Sequence, residues 1–144
     1  MSEIDKRQDE IIEEFSVFDD WMDKYSYLID IGKELNSLAK DKKDDTLLIK
    51  GCQSKVWLNS ELKDGKIYFE ADSDAIITKG IVALLVKVMS GLTPEEIMNA
   101  DLYFIDKIGL KENLSPTRSN GLTAMIKQMK MYALAYHTKL NSNS

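Results

Sequence analysis

Cysteine and histidine are almost absent from the 144 residues: the chain has one cysteine, Cys52, and one histidine, His137. A single cysteine excludes an intramolecular disulfide. The pair cannot supply the three or four ligands of a zinc site or the four thiolates usual for an iron–sulfur cluster. We therefore expect this chain to bind no metal and no cofactor. Cys52 remains a free thiol that can attack, become oxidised or carry a group.

Long apolar runs are also absent. The most apolar segment, residues 75–89, contains Lys79 and Lys87 and is shorter than the roughly 20 residues of a membrane-spanning helix. The first residues have neither the basic start nor the apolar stretch of a secretory signal. We predict a cytoplasmic protein without a membrane partner, in a reducing compartment where a free thiol persists.

The chain has no excess of positive charge. Its 24 acidic and 19 basic residues give a formal charge of −5, which argues against a nucleic-acid partner. Residues 1–45 carry a net charge of −7, whereas no acidic residue follows Glu112. The basic residues after that point are Arg118, Lys127, Lys130 and Lys139. This pattern indicates either two solvated helical faces of opposite sign or a docking surface for a protein.

The length and the 44% hydrophobic content fit one domain over residues 1–144, with a core from about residue 4 to residue 138. Apolar residues three or four apart predict a helix over residues 3–22 and a second helix packed against it as a hairpin. The predicted apolar positions are Ile11, Phe15, Phe18 and Met22, then Leu28, Ile31, Leu35 and Leu38. The Lys/Asp run at 40–45 predicts a solvated loop, and the polar tail at 141–144 is expected to fray.

The middle of the chain predicts strands. A β-prone run at 46–49, a period-two pattern from Ser54 and the turn pair Asp64 and Gly65 predict a small three-stranded antiparallel sheet over about residues 46–72. Cys52 then lies in the loop before the longest strand. The fold class is α+β, with this sheet packed against a layer of helices.

Helix signals dominate the rest of the chain. The apolar segment from Ala75 predicts a central buried helix, in which Gly80 is a close-packing site. Thr93 and Glu96 match a capping box, and Ser115 with Pro116 begins a last helix. The apolar stripe of that helix is Leu122, Met125, Met129, Tyr132 and Tyr136.

The residues around Cys52 allow two interpretations. Gly51 permits backbone angles closed to other residues, and Lys50 and Lys55 are positive charges that favour a thiolate, so the thiol can be reactive. Alternatively, Cys52 is a small buried apolar residue beside two surface lysines. A base role for His137 is disfavoured because it lies near the end of a helix, where a polar or positive side chain is common.

Three separated segments stand out in order and spacing: residues 51–57 (GCQSKVW), residues 72–75 (DSDA) followed by Lys79 and Gly80, and residues 114–122 (LSPTRSNGL). Together they resemble the SufE family of sulfur-acceptor proteins. The resemblance covers nearly the whole chain, from about Phe18 to about Tyr136. It also implies a fold similar to that of the IscU scaffold proteins.

The resemblance implies a function. Cys52 would accept sulfane sulfur as a persulfide from a pyridoxal-phosphate cysteine desulfurase (SufS-like), stimulate that enzyme and pass the sulfur to an iron–sulfur scaffold (SufBCD-like). The pyridoxal phosphate belongs to the partner, and the chain itself is an accessory protein rather than an enzyme. Family members are described as keeping this side chain in an apolar pocket when unbound. Acceptors of the Suf-type and Csd-type systems share these motifs, so both systems stay open, as do a monomer and a homodimer.

Residues near Cys52 in the motifs are predicted to support it or to contact the partner: Gly51, Gln53, Ser54, Asp74 and Arg118. Each also has a purely structural interpretation, with Asp74 at a helix terminus, Arg118 paired with an acidic neighbour and Ser54 bonded to loop amides. Two other functions stay open. One is a thiol redox protein or sensor acting through Cys52, and the other is an interaction module in which Cys52 is inert.

Overall fold

The computed structural model of the protein describes residues 2–35, 38 and 40–142. Their helices are α1 (Glu3–Ser16), α2 (Trp21–Glu34), α3 (Ile76–Met89), α4 (Pro94–Met98), α5 (Phe104–Lys107) and α6 (Pro116–Ser142). The strands are β1 (Val56–Lys63) and β2 (Lys66–Ser73), and short 3-10 turns occupy Lys40–Lys42, Asp45–Leu47 and Lys111–Asn113. The predicted α+β fold class is confirmed.

Helix α3 is the centre of the core, as its sequence predicts. It contacts α1, α2, α6 and strand β2, and nine of its 14 residues are buried. The crossing with α2 depends on two glycines: a Cβ on Gly80 would lie 2.3 Å from the carbonyl oxygen of Leu28, and one on Gly32 would lie 2.9 Å from the amide nitrogen of Gly80. Gly80 is therefore a close-packing site, because any side chain there would push the two helices apart.

The sheet has two strands and not the predicted three. Strands β1 and β2 pair antiparallel from Val56 with Ser73 to Lys63 with Lys66. The run at 46–49 forms no third strand because Asp44 accepts hydrogen bonds from the Thr46 amide and hydroxyl and bends the chain into a 3-10 turn. A single bridge, from Leu48 to Trp57, remains of the predicted pairing.

The first predicted helix ends earlier than predicted, and its last two predicted residues, Trp21 and Met22, belong to the second helix. Helix α1 ends at Ser16, and α2 begins after Asp20, whose carboxylate accepts a hydrogen bond from the amide of Asp23 at 2.9 Å. Asp20 is a helix cap, and a cap forces extended backbone before a new helix. Met22 consequently leaves the predicted apolar face and is 80% exposed.

Helices α4 and α6 begin at their predicted caps, whereas no helix was predicted at α5. Thr93 and Glu96 form the capping box of α4, and the Ser115 hydroxyl accepts a hydrogen bond from the Arg118 amide at the start of α6. Helix α6 continues to Ser142. Residues 141 and 142 are therefore helical where a frayed tail is predicted, and residues 143 and 144 of that prediction lie outside the described residues.

Candidate functional site at the Cys52 loop

Cys52 lies in a loop that two other parts of the molecule hold in place. The Ile49 amide donates to the Val56 carbonyl at 2.9 Å and closes the base of the loop. Gly51 has a φ of +95°, which side chains rarely tolerate, and a Cβ on it would lie 3.3 Å from the Cβ of Ala124 in α6. The loop thus needs glycine at this position, both for its backbone angle and for its approach to α6.

The Cys52 side chain is turned towards α6. Its thiol donates a hydrogen bond to the Gly121 carbonyl at 3.7 Å, and it is half-buried against the core. Burial raises the pKa of the Cys52 thiol because a buried thiolate loses hydration. Lys50 and Lys55 are both exposed and do not offset this burial, so the thiol is harder to ionise than an ordinary cysteine.

A cavity of about 330 Å³ surrounds the thiol. The loop, α3 and the first turns of α6 each form part of its wall. The lining residues are Cys52, Gln53, Ser54, Thr78, Ile81, Ser115, Thr117, Arg118, Gly121 and Met125. The cavity therefore joins the first and third sequence motifs, which lie about 60 residues apart in the chain.

Most of the predicted site residues meet at this cavity. Gln53, Ser54 and Arg118 line it together with Cys52, and Gly51 shapes the loop. Arg118 is exposed and has no ion pair with any described residue, so pairing with an acidic neighbour does not account for it. Its guanidinium is free to meet an anionic group that arrives at the thiol.

Asp74 does not line the cavity. Its carboxylate accepts a hydrogen bond from the Lys55 amide at 3.0 Å, and its own amide donates to the Lys55 carbonyl at 3.2 Å. The amide of Ala75, the residue before α3, donates instead to the Ser73 hydroxyl. Asp74 therefore fixes the stem of the Cys52 loop rather than the helix terminus.

Asp72 is a buried charge that sequence reasoning did not single out beyond its place in a motif. It is 3% exposed and forms ion pairs with Lys43 at 2.8 Å and with Lys79 at 3.3 Å. Burial acts to raise its pKa, but hydrogen bonds from Lys43, the Ser73 amide and Lys79 outweigh burial and lower the pKa. The Lys43 ammonium also lies 5.4 Å from the centre of the Trp57 ring. The 40–45 segment is thus attached to the sheet and is not a fully solvated loop.

Other residues that line the cavity were not among the predicted site residues, although the sequence contains a signal for some of them. Ser115, Thr117 and Gly121 belong to the third motif, and Thr78 is a polar residue inside the apolar segment one turn before Ile81. A polar residue on a buried helix indicates a local need for a hydrogen-bonding group.

His137 takes no part in the site. Its ring faces the Asn141 side chain at 3.0 Å, and it lies about 24 Å along the axis of α6 from Gly121. Among residues 2–35, 38 and 40–142, no group of three or more histidine, cysteine or acidic side chains is arranged to hold a metal. Cys52 therefore has neither a histidine base nor a cluster of metal-ligand side chains beside it in this part of the chain.

The arrangement matches a known family. A family model described as the SufE Fe-S metabolism associated domain matches residues 9–133. The chain belongs to the SufE family. It is 42% identical over 127 residues to an uncharacterized SufE-like protein of Rhizobium etli, covering 85% of this chain and 86% of that protein. It is 37% identical over 126 residues to another from Synechocystis, covering 88% of this chain and 79% of that protein.

A solved structure shares the fold. The solution structure of a hypothetical protein from Thermus thermophilus matches with a TM-score of 0.75 and covers 92% of this chain and 96% of that protein, at 18% identity. Membership of the SufE family assigns the chain to Fe–S metabolism as an accessory protein. In the described residues, no helix has both the length and the apolar character needed to cross a membrane.

Proposed function

We propose that the chain accepts sulfane sulfur on Cys52 from a pyridoxal-phosphate cysteine desulfurase, stimulates that enzyme and passes the sulfur to an iron–sulfur assembly scaffold. The observation that carries the proposal is the position of the thiol. The single cysteine of the chain sits on a glycine-shaped loop above a cavity that gathers Gln53, Ser54 and Arg118 around it. Its family, associated with Fe–S metabolism, supports the same role.

The transfer step resembles thiol–disulfide exchange. The Cys52 thiolate attacks the outer sulfur of the persulfide on the desulfurase cysteine. A sulfur–sulfur bond to Cys52 forms, the bond to the desulfurase cysteine breaks, and that cysteine leaves as a thiolate that takes up a proton. One sulfur atom is transferred from the desulfurase cysteine to Cys52, and no electrons are gained or lost overall. No external oxidant or reductant is therefore needed.

The half-buried thiol suits a carrier that must not react outside its complex. The raised pKa keeps Cys52 protonated near neutral pH, which slows stray attack and oxidation, since the thiolate is the reactive form. The same property counts against the redox-sensor hypothesis. Within the complex, the loop must bring Sγ away from the Gly121 carbonyl to reach the donor.

The chain contains no second thiol that could attack the carried persulfide. Because Cys52 is the single cysteine, an intramolecular disulfide cannot displace the bound sulfur. The persulfide formed on Cys52 therefore remains intact until a nucleophile of the scaffold attacks it. That nucleophile attacks the outer sulfur in turn and leaves Cys52 as a thiolate.

The test mixes the chain with a desulfurase that carries its pyridoxal phosphate, adds cysteine and measures the mass of the chain. We expect a gain of one sulfur atom on wild type, none on Cys52→Ser, and stimulation of alanine release by wild type alone. An unchanged mass of wild type, or full stimulation by Cys52→Ser, contradicts the proposal. Rapid turnover of peroxide by Cys52 favours the redox alternative instead.

A further inference from the structure

Helix α6 has an exposed apolar strip, formed by Met131 and Leu134, that the core does not bury. Its buried residues are Gly121, Leu122, Met125, Met129 and Ala133. On the opposite side of the helix, Ala124, Lys127, Met131 and Leu134 follow one another at spacings of three and four, so they share one face. Met131 is 53% exposed and Leu134 is 52% exposed. Adjacent exposed apolar side chains of this size are typical of a surface that binds a partner.

The segment before Cys52 forms a second wall beside this strip. A groove of about 520 Å³ lies between Leu48 and Lys50 on one side and Ala124, Lys127 and Met131 on the other. Both lysines are exposed, and neither has an ion pair with any described residue. The groove therefore combines apolar walls with positive charge, and α6 has no acidic residue to compensate that charge.

The groove adjoins the thiol site. Gly51 lies so near Ala124 of α6 that an added Cβ would be 3.3 Å from the Ala124 Cβ, and Gly121, which accepts the hydrogen bond from Cys52, lies one turn before Ala124. A chain bound in the groove would thus lie beside the Cys52 loop. Its binding would hold the rest of its protein next to the thiol.

We propose that this groove binds an acidic segment with apolar side chains on the desulfurase that donates the sulfur. The inference rests on the proposed function and adds to it the surface that holds the donor. Lys50 and Lys127 attract carboxylates, which steers encounter, and the exposed apolar strip gains from burial once contact is made. A nucleic acid fits less well, because a polyanion leaves Met131 and Leu134 in water.

The test titrates the full chain with the pyridoxal-phosphate-loaded desulfurase. The variant K50E/K127E reverses the groove charge, and K63E/K139E makes the same charge change at two exposed lysines outside the groove. We expect K50E/K127E to raise Kd about ten-fold at low salt and less at high salt, because salt screens the attraction. The control should stay within about two-fold of wild type.

The apolar strip is tested separately by M131S/L134S. Both side chains are more than half exposed, so the variant should fold as wild type, which circular dichroism checks. We expect Kd to rise about five-fold with little dependence on salt, because this part of the interaction is not electrostatic.

The outcomes separate this inference from the proposed function. At saturating desulfurase, the groove variants should still gain sulfur on Cys52, since the thiol is intact. If wild type gains sulfur and both groove variants bind with unchanged Kd, the inference is overturned and the function stands. If K63E/K139E weakens binding as much as K50E/K127E, general charge rather than the groove attracts the donor, and the inference is wrong. If K50E/K127E abolishes self-association of the chain and leaves desulfurase binding unchanged, a second copy is the occupant and the inference is again overturned.

Discussion

Two loops at opposite ends of the hairpin each contain a glycine of positive φ, yet they are shaped in different ways. The turn at Asp64 and Gly65 has φ values of 54° and 77°, and a Cβ on Gly65 would meet no atom within 4 Å. In the Cys52 loop, Gly51 has a φ of 95°, and a Cβ on it would lie 3.3 Å from the Cβ of Ala124. The turn takes its shape from its own residues, whereas the shape of the Cys52 loop also depends on helix α6.

The largest difference between the loops should appear when each glycine becomes alanine. Gly65→Ala should lower the free energy of unfolding by about 1 kcal/mol, because a left-handed backbone is its main cost. Gly51→Ala should lower it by about 2 kcal/mol, since the new methyl group also presses on Ala124. Urea unfolding measures both values.

Asparagine at the same positions makes this comparison sharper. Asparagine tolerates a left-handed backbone, so Gly65→Asn should cost only a few tenths of a kcal/mol. Gly51→Asn should stay close to the cost of Gly51→Ala, because its side chain still meets Ala124. Equal costs for the two asparagine variants would show that both loops are shaped locally.

The next effect concerns the segment that leads into the Cys52 loop. Lys43→Gln removes the 2.8 Å ion pair with the buried Asp72 and should lower the free energy of unfolding by about 1 kcal/mol, because Lys79 still partly compensates the carboxylate. The matched control is Lys42→Gln, which removes an exposed 3.5 Å pair with Glu70. We expect the control to change stability by less than about 0.5 kcal/mol.

Similar effects of these two variants would contradict the attachment of the 40–45 segment to Asp72. Lys43→Arg supplies a further check, since an arginine keeps the charge and can still reach a carboxylate. Its stability should lie closer to wild type than that of Lys43→Gln. Chemical unfolding of all three variants gives the comparison.

Features set by residues close together in the sequence could be predicted from it, whereas features set by contacts between distant segments could not. The capping box at Thr93, the buried helix α3 and the hairpin turn depend on residues a few positions apart, and all three are confirmed. The boundary between the first two helices was also encoded locally, in Asp20, but the apolar spacing across it pointed to a first helix that continues to Met22. In that case a cap outweighed the periodicity.

Contacts between distant segments escaped prediction. The pairing of Lys43 with Asp72 joins positions 29 residues apart, and no spacing in the sequence links them. The cavity around Cys52 could be predicted in part from the sequence, because two of its three walls coincide with family motifs. The direction of the pKa shift was not predicted from Lys50 and Lys55, since burial by α3 and α6 and not local charge determines it.

A smaller effect should follow from loosening the stem of the loop. Asp74→Ala removes the hydrogen bond to the Lys55 amide, worth about 1 kcal/mol, and should favour local opening about five-fold. The rate at which iodoacetamide modifies Cys52 should rise by a similar factor. Asp64→Ala, in the hairpin turn, should leave that rate unchanged. An unchanged rate in Asp74→Ala would show that the stem does not control access to the thiol.

The smallest expected effect is a shift in the pH at which the Cys52 thiol ionises. Its measurement compares thiols at the two ends of the hairpin directly. Burial raises the pKa of Cys52, so its alkylation rate should reach half of its maximum at a higher pH than that of an exposed thiol. Lys63→Cys in a Cys52→Ser background places such a thiol at the exposed end of β1. In urea both thiols should titrate at the ordinary value, because the unfolded chain buries neither.

The sign of the stability effect follows from the same shift. A group whose pKa is higher in the folded chain binds its proton more tightly there, so its contribution is fully present below the unfolded pKa. That contribution is lost as the pH rises through the folded pKa. Wild type should therefore lose stability relative to Cys52→Ala as the solution becomes alkaline, and a constant difference between them would show that the thiol titrates as if exposed. Such a result would remove the protection that distinguishes the Cys52 loop from the hairpin turn, because a thiol that ionises freely is open to oxidation.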